Sequence, residues 1–281
     1  MKTSSLPLLP TEDVTLTAAG AQRWREGRYR HRPEGEPFEP KAHGLEPLDR
    51  ATAQAFVQRH HYAGSYPAAR RAYGLYRAFS GLVGVVVFAR SQQDATAARY
   101  APGCDPAHVV ELSRLVLLDE VETNGESWTV RRALELLHRD LPEVRLVLSY
   151  SDPVIRRRAD GSPILPGHVG TVYQALAATY HGRAKRRRLV LTPTGEVVSE
   201  RAVEKLKSGD RGAEGLYQRL LAWGAPPIRR GEPAPAYVDR ALQEGPFRVL
   251  VHPGNHAYTW ALDPSLARAP ARAYPRKAQE T

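Results

Sequence analysis

Apolar residues recur along the chain with two spacings, one close to that of a helix and one close to that of a strand, in alternating blocks. In residues 49–62, "DRATAQAFVQRHHY", Ala53, Phe56 and Val57 fall at helical spacing, and Asp49 stands where a cap is needed. Residues 72–90, "AYGLYRAFSGLVGVVVFAR", predict two strands that turn at Ser80-Gly81. A third strand is predicted over "VVELSRLVLLD" (109–119), and a helix over 127–139 with Val130, Leu134 and Leu137 on one face. "VRLVLSY" (144–150) predicts a fourth strand, ended by Asp152-Pro153. Residues 168–181 carry Val169, Val172, Tyr173, Leu176 and Tyr180 on one side of a second predicted helix. Further on, "RLVLTPTGEVVSE" (188–200) predicts a hairpin. Residues 199–225 predict two short helices joined at Ser208-Gly209-Asp210, in the manner of a helix-turn-helix, and 247–262 a closing pair of strands.

This pattern predicts an α+β fold: a central mixed, mostly antiparallel sheet flanked by helices, with a basic C-terminal helical insertion. The expected division is an irregular arm over 1–45, a core over 46–182, a basic hairpin and helical segment over 183–245, closing strands over 246–264, and a frayed tail over 265–281.

Composition narrows the function. With 281 residues and 42% apolar content, the chain can bury a substantial core. It has no apolar run of 18 residues and no secretory leader pattern, which predicts a cytoplasmic protein without a membrane partner. The single cysteine, Cys104, excludes an internal disulfide and a multi-cysteine zinc site. The formal charge is +10, and its distribution matters more than its size. Arg156, Arg157 and Arg158 form one block; Arg183, Lys185, Arg186, Arg187 and Arg188 form another. Such blocks gain by releasing counterions from phosphates, so double-stranded DNA is the expected partner.

Several residues are candidates for chemistry. Asn124-Gly125-Glu126-Ser127 lies where a strand gives way to a helix. Small residues there can leave backbone N–H groups free for a phosphate, and Ser127 can cap the helix. Arg114 sits among apolar neighbours in a strand, a costly place unless it is paired or lines a pocket. Strict alternation puts Glu111 on the opposite face, which argues against pairing and for a site role. Asp152 ends a strand, where it can accept or orient a proton or simply make a turn before Pro153. His61 can act as base or metal ligand, or complement a helix end. Tyr62 can stack on an extruded base.

The order of strands, strand–loop–helix, strand–helix and strands resembles the GNAT acyltransferases. Their loop pattern, roughly Q/R-x-x-G-x-G/A, falls on Glu122, Gly125 and Ser127, with departures at the first and last positions. Four pieces, "HYAGSYP", "ELSRLVLLD…NGES", "SYSDP" and "GHVGTVYQA", together resemble the Mom family of phage DNA-modification proteins. That resemblance covers about residues 50–182 plus "HPGNHAYTW". It implies an enzyme that converts adenine in DNA to an N6-carbamoylmethyl form. An acetyl-CoA-type donor would be held by Arg114, Asn124, Gly125 and Ser127. Catalysis would fall to Asp152, His61, Tyr62 and Tyr173, the last protonating a leaving thiolate or else filling the core. Bonding a methyl carbon to nitrogen goes beyond simple acyl transfer, and an iron ion held by His61 and Asp152 is one answer. Two alternatives stay open: an N-acetyltransferase for a small amine, an RNA or a modified base, and a non-catalytic DNA-binding module.

Overall fold

The computed structural model describes residues 37–275 except 62, 63, 92, 159, 162 and 166, together with the short strands 8–9, 21–25 and 28–32. Those strands are β1 (Leu8–Leu9) and the antiparallel pair β2 (Ala21–Arg25) and β3 (Arg28–Arg32). Then come β4 (His43–Pro47), α1 (Arg50–His60), β5 (Ala69–Arg77), β6 (Gly81–Arg90) and α2 (Ala95–Tyr100). They are followed by β7 (Val109–Leu117), α3 (Gly125–Asp140), β8 (Leu146–Ser151), β9 (Arg156–Arg157) and β10 (Pro163–Leu165). The chain continues through α4 (Thr171–Ala175), β11 (Thr179–Arg183), β12 (Arg187–Leu191), α5 (Glu200–Ser208), α6 (Ala213–Ala222) and α7 (Ala234–Glu244). Strands β13 (Arg248–His252) and β14 (His256–Ala261) are last.

The chain divides into two units. The larger draws on 14–153, 165–184 and 254–281 and is built on a seven-stranded sheet in the order β11-β14-β8-β7-β6-β5-β4. Every neighbouring pair is antiparallel except β7 and β8. Strand β6 is buried on both faces, which explains its unbroken apolar run. On one face α3 packs Val130, Ala133, Leu136 and Leu137 against Leu75, Phe88, Val110 and Leu112. On the other, α1 buries Ala53 and Val57 against Val85, Val87 and Val116. Helix α1 begins where expected, because Asp49 Oδ1 accepts the Thr52 N–H at 3.0 Å.

The smaller unit draws on 1–13, 154–164 and 185–253. Its sheet runs β1-β13-β12. Helices α5, α6 and α7 share a core of Leu206, Leu216, Leu220, Tyr237 and Val238. On the sheet, Val154 packs with Leu189, Leu191 and Leu250.

Two expectations are corrected. The helix predicted over 168–181 is only α4, five residues long. Gly170 (φ 75) and Ala177 (φ 52) adopt left-handed conformations at its two ends, and Thr179–Arg183 leaves it to pair with β14. The closing pair of strands is also split. Only β14 joins the large sheet, while β13 pairs with β12 in the smaller unit. No helix among the described residues is long and apolar enough to cross a membrane.

Candidate active site

The two parallel strands part company. Their pairing runs from Val109↔Leu146 to Glu111↔Leu148 and stops. Beyond it, β7 stays with β6 and β8 with β14, and the gap opens toward the C-terminal ends of both strands. At the point of parting, Ser149 Oγ donates to Leu112 O at 3.2 Å.

A bulge at Ser113 decides which side chains face this gap. Val87 pairs with Arg114 and Phe88 with Leu112, so Ser113 is an extra residue in β7. Val110, Leu112, Leu115 and Leu117 therefore share the α3 face, despite the odd step between Leu112 and Leu115. Val109 and Val116 take the other face, and Glu111 and Arg114 fall with them. The expectation that Glu111 and Arg114 lie on opposite faces is thus overturned. Burial pushes the Glu111 carboxyl above its ordinary range, and the Arg114 charge opposes that shift.

Arg114 is held firmly. Its Nε donates to Ser65 O at 3.2 Å, Nη2 to Ser65 Oγ at 3.1 Å and Nη1 to Ser113 O at 2.7 Å. His61 closes α1, its N–H donating to Val57 O at 2.9 Å. Burial first, then the charges of Arg114 and His168, push the His61 imidazole down to about 3. His168 is likewise pushed down by burial, with Asp152 opposing. The His168 N–H donates to Asp152 O at 2.7 Å. The structure therefore brings His61, Arg114, Asp152 and His168 into one electrostatically coupled group drawn from α1, β7 and the two loops flanking 153–167. Tyr150, on β8, lies edge-on to Tyr100; burial, followed by Tyr100, raises its phenol, with Glu111 adding to the shift. Sequence reasoning missed Glu111 and His168 as site residues. The signal for His168 was its place in "GHVGTVYQ", between Gly167 (φ 65) and Gly170 (φ 75).

Tyr173 is buried, edge-on to Tyr258 at 5.4 Å and Trp260 at 5.5 Å, and 6.2 Å from the His168 ring. Tyr62 lies outside the described residues. Among the described residues, no group of three or more His, Cys, Asp or Glu side chains is arranged to hold a metal ion.

The loop before α3 differs from its expected form. Asn124 is the N-cap residue in a left-handed conformation (φ 73), and its side chain makes no capping bond. Ser127 does not cap: its Oγ donates back to Asn124 O at 2.9 Å. The Gly125 N–H is already given to Glu122 O at 3.2 Å, and the Phe38 N–H to Thr123 O at 3.0 Å. A Cβ on Gly125 would stand 2.4 Å from Val121 Cγ1 and 3.2 Å from Phe38 Cδ2. Glycine is required here by packing against the protein's own side chains. Glu122 turns inward, bonded to Arg77 at 2.6 Å with His43 at 3.5 Å. These residues do not fit a pyrophosphate. Gly125→Ala is expected to destabilise the fold by about 1–3 kcal/mol through overpacking, read as a lower urea midpoint.

The sequence pattern of the Mom protein family matches residues 43–229. The chain belongs to the Mom family. Among curated proteins none matches this Mom-family chain. Solved structures similar to it include a spermidine/spermine N-acetyltransferase, SpeG, from Vibrio cholerae, in complex with manganese ions. It is 13% identical, with 51% of this chain and 81% of that one covered and a TM-score of 0.31. A tandem GNAT protein from the clavulanic acid biosynthesis pathway is 11% identical, with 79% and 99% covered and a TM-score of 0.39. The GNAT-like fold of this Mom protein rests on its own strand order and on the parted parallel pair.

Proposed function

We propose that this protein is a transferase that modifies the exocyclic amine of adenine in double-stranded DNA, the product being the N6-carbamoylmethyl form that the family resemblance implies. The observation that carries the reading is a half-buried, neutral His61 beside a fixed Arg114 and His168, with Asp152 next to His168 at the mouth of the β7/β8 gap. Adenine's amine is a poor nucleophile, its lone pair being delocalised into the ring. As its nitrogen bonds to the transferred carbon, an N–H bond must break, and the bond from that carbon to the leaving group breaks with its electron pair departing; for the carbamoylmethyl product that carbon is the methylene, so the donor must be of the class X–CH2–C(=O)NH2, with the leaving group X on the methylene. Neutral His61 or ionised Asp152 can take the proton. Arg114 can hold the carbonyl oxygen that acyl and carbamoylmethyl groups share. An acyl-CoA, the donor class that the resemblance implies, carries its leaving thiolate on the carbonyl carbon and would give an N6-acyl adenine instead, and the α3 loop supplies no phosphate cradle for it.

The basic blocks support DNA as the partner. Lys185, Arg186, Arg187 and Arg188 are exposed and make no ion pair among the described residues. The turn after β12 sits against the Arg156–Arg158 loop, since a Cβ on Gly195 would stand 2.6 Å from Arg157 O. In the helical segment Lys207 pairs with Asp239 at 3.0 Å and Arg240 with Glu232 at 2.7 Å, while exposed Arg201 and Arg211 make no ion pair among the described residues and could add phosphate contacts.

The test is mass spectrometry of digested host DNA after expression. A modified deoxyadenosine is expected. Unchanged DNA beside a modified small amine or RNA would move the protein to the N-acetyltransferase alternative.

A further inference from the structure

The β5–β6 hairpin ends in an unusual residue. Phe79 is fully exposed, at 110% of its reference area, and its φ is 65°. A bulky side chain pays for the left-handed region with steric strain, and aromatic surface in water contributes nothing to the core. Gly81 (φ 82) stands two residues away, so residues suited to such a turn are already at hand. The tip is also rigidly anchored. Arg77 is bonded to buried Glu122 at 2.6 Å, the Ala78 N–H donates to Ala42 O at 2.9 Å, and the Ser80 N–H to Arg77 O at 3.1 Å. An exposed, strained phenylalanine on a fixed stalk has no structural use that the fold reveals.

Its place in the sheet suggests one. β5 ends and β6 begins at the edge where β7, β8 and β11 also end, as the pairings Gly84↔Leu117, His256↔Ser151 and Arg183↔His256 require. That edge therefore carries Phe79, the mouth of the β7/β8 gap with Asp152, and exposed Arg183. Strands lie about 4.8 Å apart and rise about 3.4 Å per residue, so the tip stands two strand spacings, about 10 Å, to the side of the gap and projects about 20 Å along β6 beyond Val87, the partner of Arg114. An enzyme acting on a duplex base must extrude it, at a cost in stacking. Apolar wedges, phenylalanine among them, enter base steps and offset part of that cost.

We propose that Phe79 is the wedge that enters the duplex beside the target adenine and holds the stack open while the base occupies the gap. This rests on the reading of the protein as an enzyme of double-stranded DNA. The residue positions the substrate and takes no part in bond making.

The test uses the full-length protein in extracts of expressing cells, which supply the donor. The two substrates are genomic DNA from non-expressing cells, native or heat-denatured, and modified deoxyadenosine is measured by mass spectrometry. Phe79→Ala is expected to lower modification of native DNA at least tenfold and that of denatured DNA by no more than about twofold, since a single strand needs no wedge. Phe79→Leu and Phe79→Trp should restore most of the activity on native DNA. Phe79→Gly should lose it while raising the urea midpoint, because glycine accepts the left-handed turn without strain. Undiminished modification of native DNA by Phe79→Ala overturns the wedge and leaves the enzyme reading intact. Equal losses on both substrates also overturn it, as does a change from dimer to monomer on gel filtration with both rates unchanged, which would make Phe79 a contact between copies. If the wild-type protein modifies neither DNA, the wedge fails together with the function it rests on.

Discussion

Asp152→Asn and His61→Gln are each expected to lower DNA modification by about 10²–10⁴-fold, the range that a positioned acid or base supplies, with the fold retained. Asparagine keeps the shape of aspartate and removes its charge, so the first variant isolates proton acceptance from turn formation before Pro153. Glutamine keeps a polar group at the end of α1 and removes the imidazole. Modified deoxyadenosine in host DNA is the readout, with circular dichroism to confirm folding. Full modification by Asp152→Asn would remove that carboxylate from the proton transfer. The pH dependence follows from the shift in His61. Its folded value of about 3 lies below its ordinary value of 6.5, so protons favour the unfolded chain. The stability tied to neutral His61 is therefore fully present above pH 6.5 and is lost as pH falls toward 3. His61→Gln should flatten this part of the acid limb of unfolding. For the same reason His61 contributes no inflection near pH 6.5 to the rate of modification by the folded enzyme.

Much of the fold was legible because local pattern and global burial agree. The run through 81–90 reads as a fully buried strand and is one; the Asp49 cap and the apolar stripe of α3 behave likewise. What failed was information that local pattern does not hold. Val172, Tyr173, Leu176 and Tyr180 suit a helix, but the left-handed Gly170 and Ala177 and the pairing of Tyr180 with Tyr258 cut it short. β13 was recognisable as a strand, yet nothing in "FRVLVH" says that its partner is β12 rather than the large sheet. The glycine at 125 was read for its freedom to admit a ligand, whereas Val121 and Phe38 occupy that space. At the site, Asp152, His61 and Arg114 were identified singly, and their convergence with His168 depends on where β7 and β8 separate.

The bulge at Ser113 was invisible for a different reason. Glu111, Ser113 and Arg114 are all polar, so the alternation gives no sign that one residue is extra. Its consequence can be measured. With Glu111 and Arg114 on one face, their removal should be strongly non-additive, by about 1–3 kcal/mol in a double-mutant cycle of Glu111→Gln and Arg114→Met at pH 8. Burial raises the Glu111 carboxyl, so the folded state binds its proton more tightly than the unfolded chain. The stability this contributes is present at low pH and is lost as pH rises from the ordinary carboxylate range through the folded value. Arg114 lowers that folded value, and Arg114→Met should raise it further. The single variant should then be hurt more at pH 8 than at pH 5, because the raised carboxyl takes up its proton as the pH falls. Adding Glu111→Gln should remove that difference, because a buried amide has no charge left uncompensated. Urea unfolding of the four proteins at the two pH values decides the matter. Additive losses at both would mean that the two side chains do not meet, and the assignment of Glu111 to the face of the candidate site would fall with them.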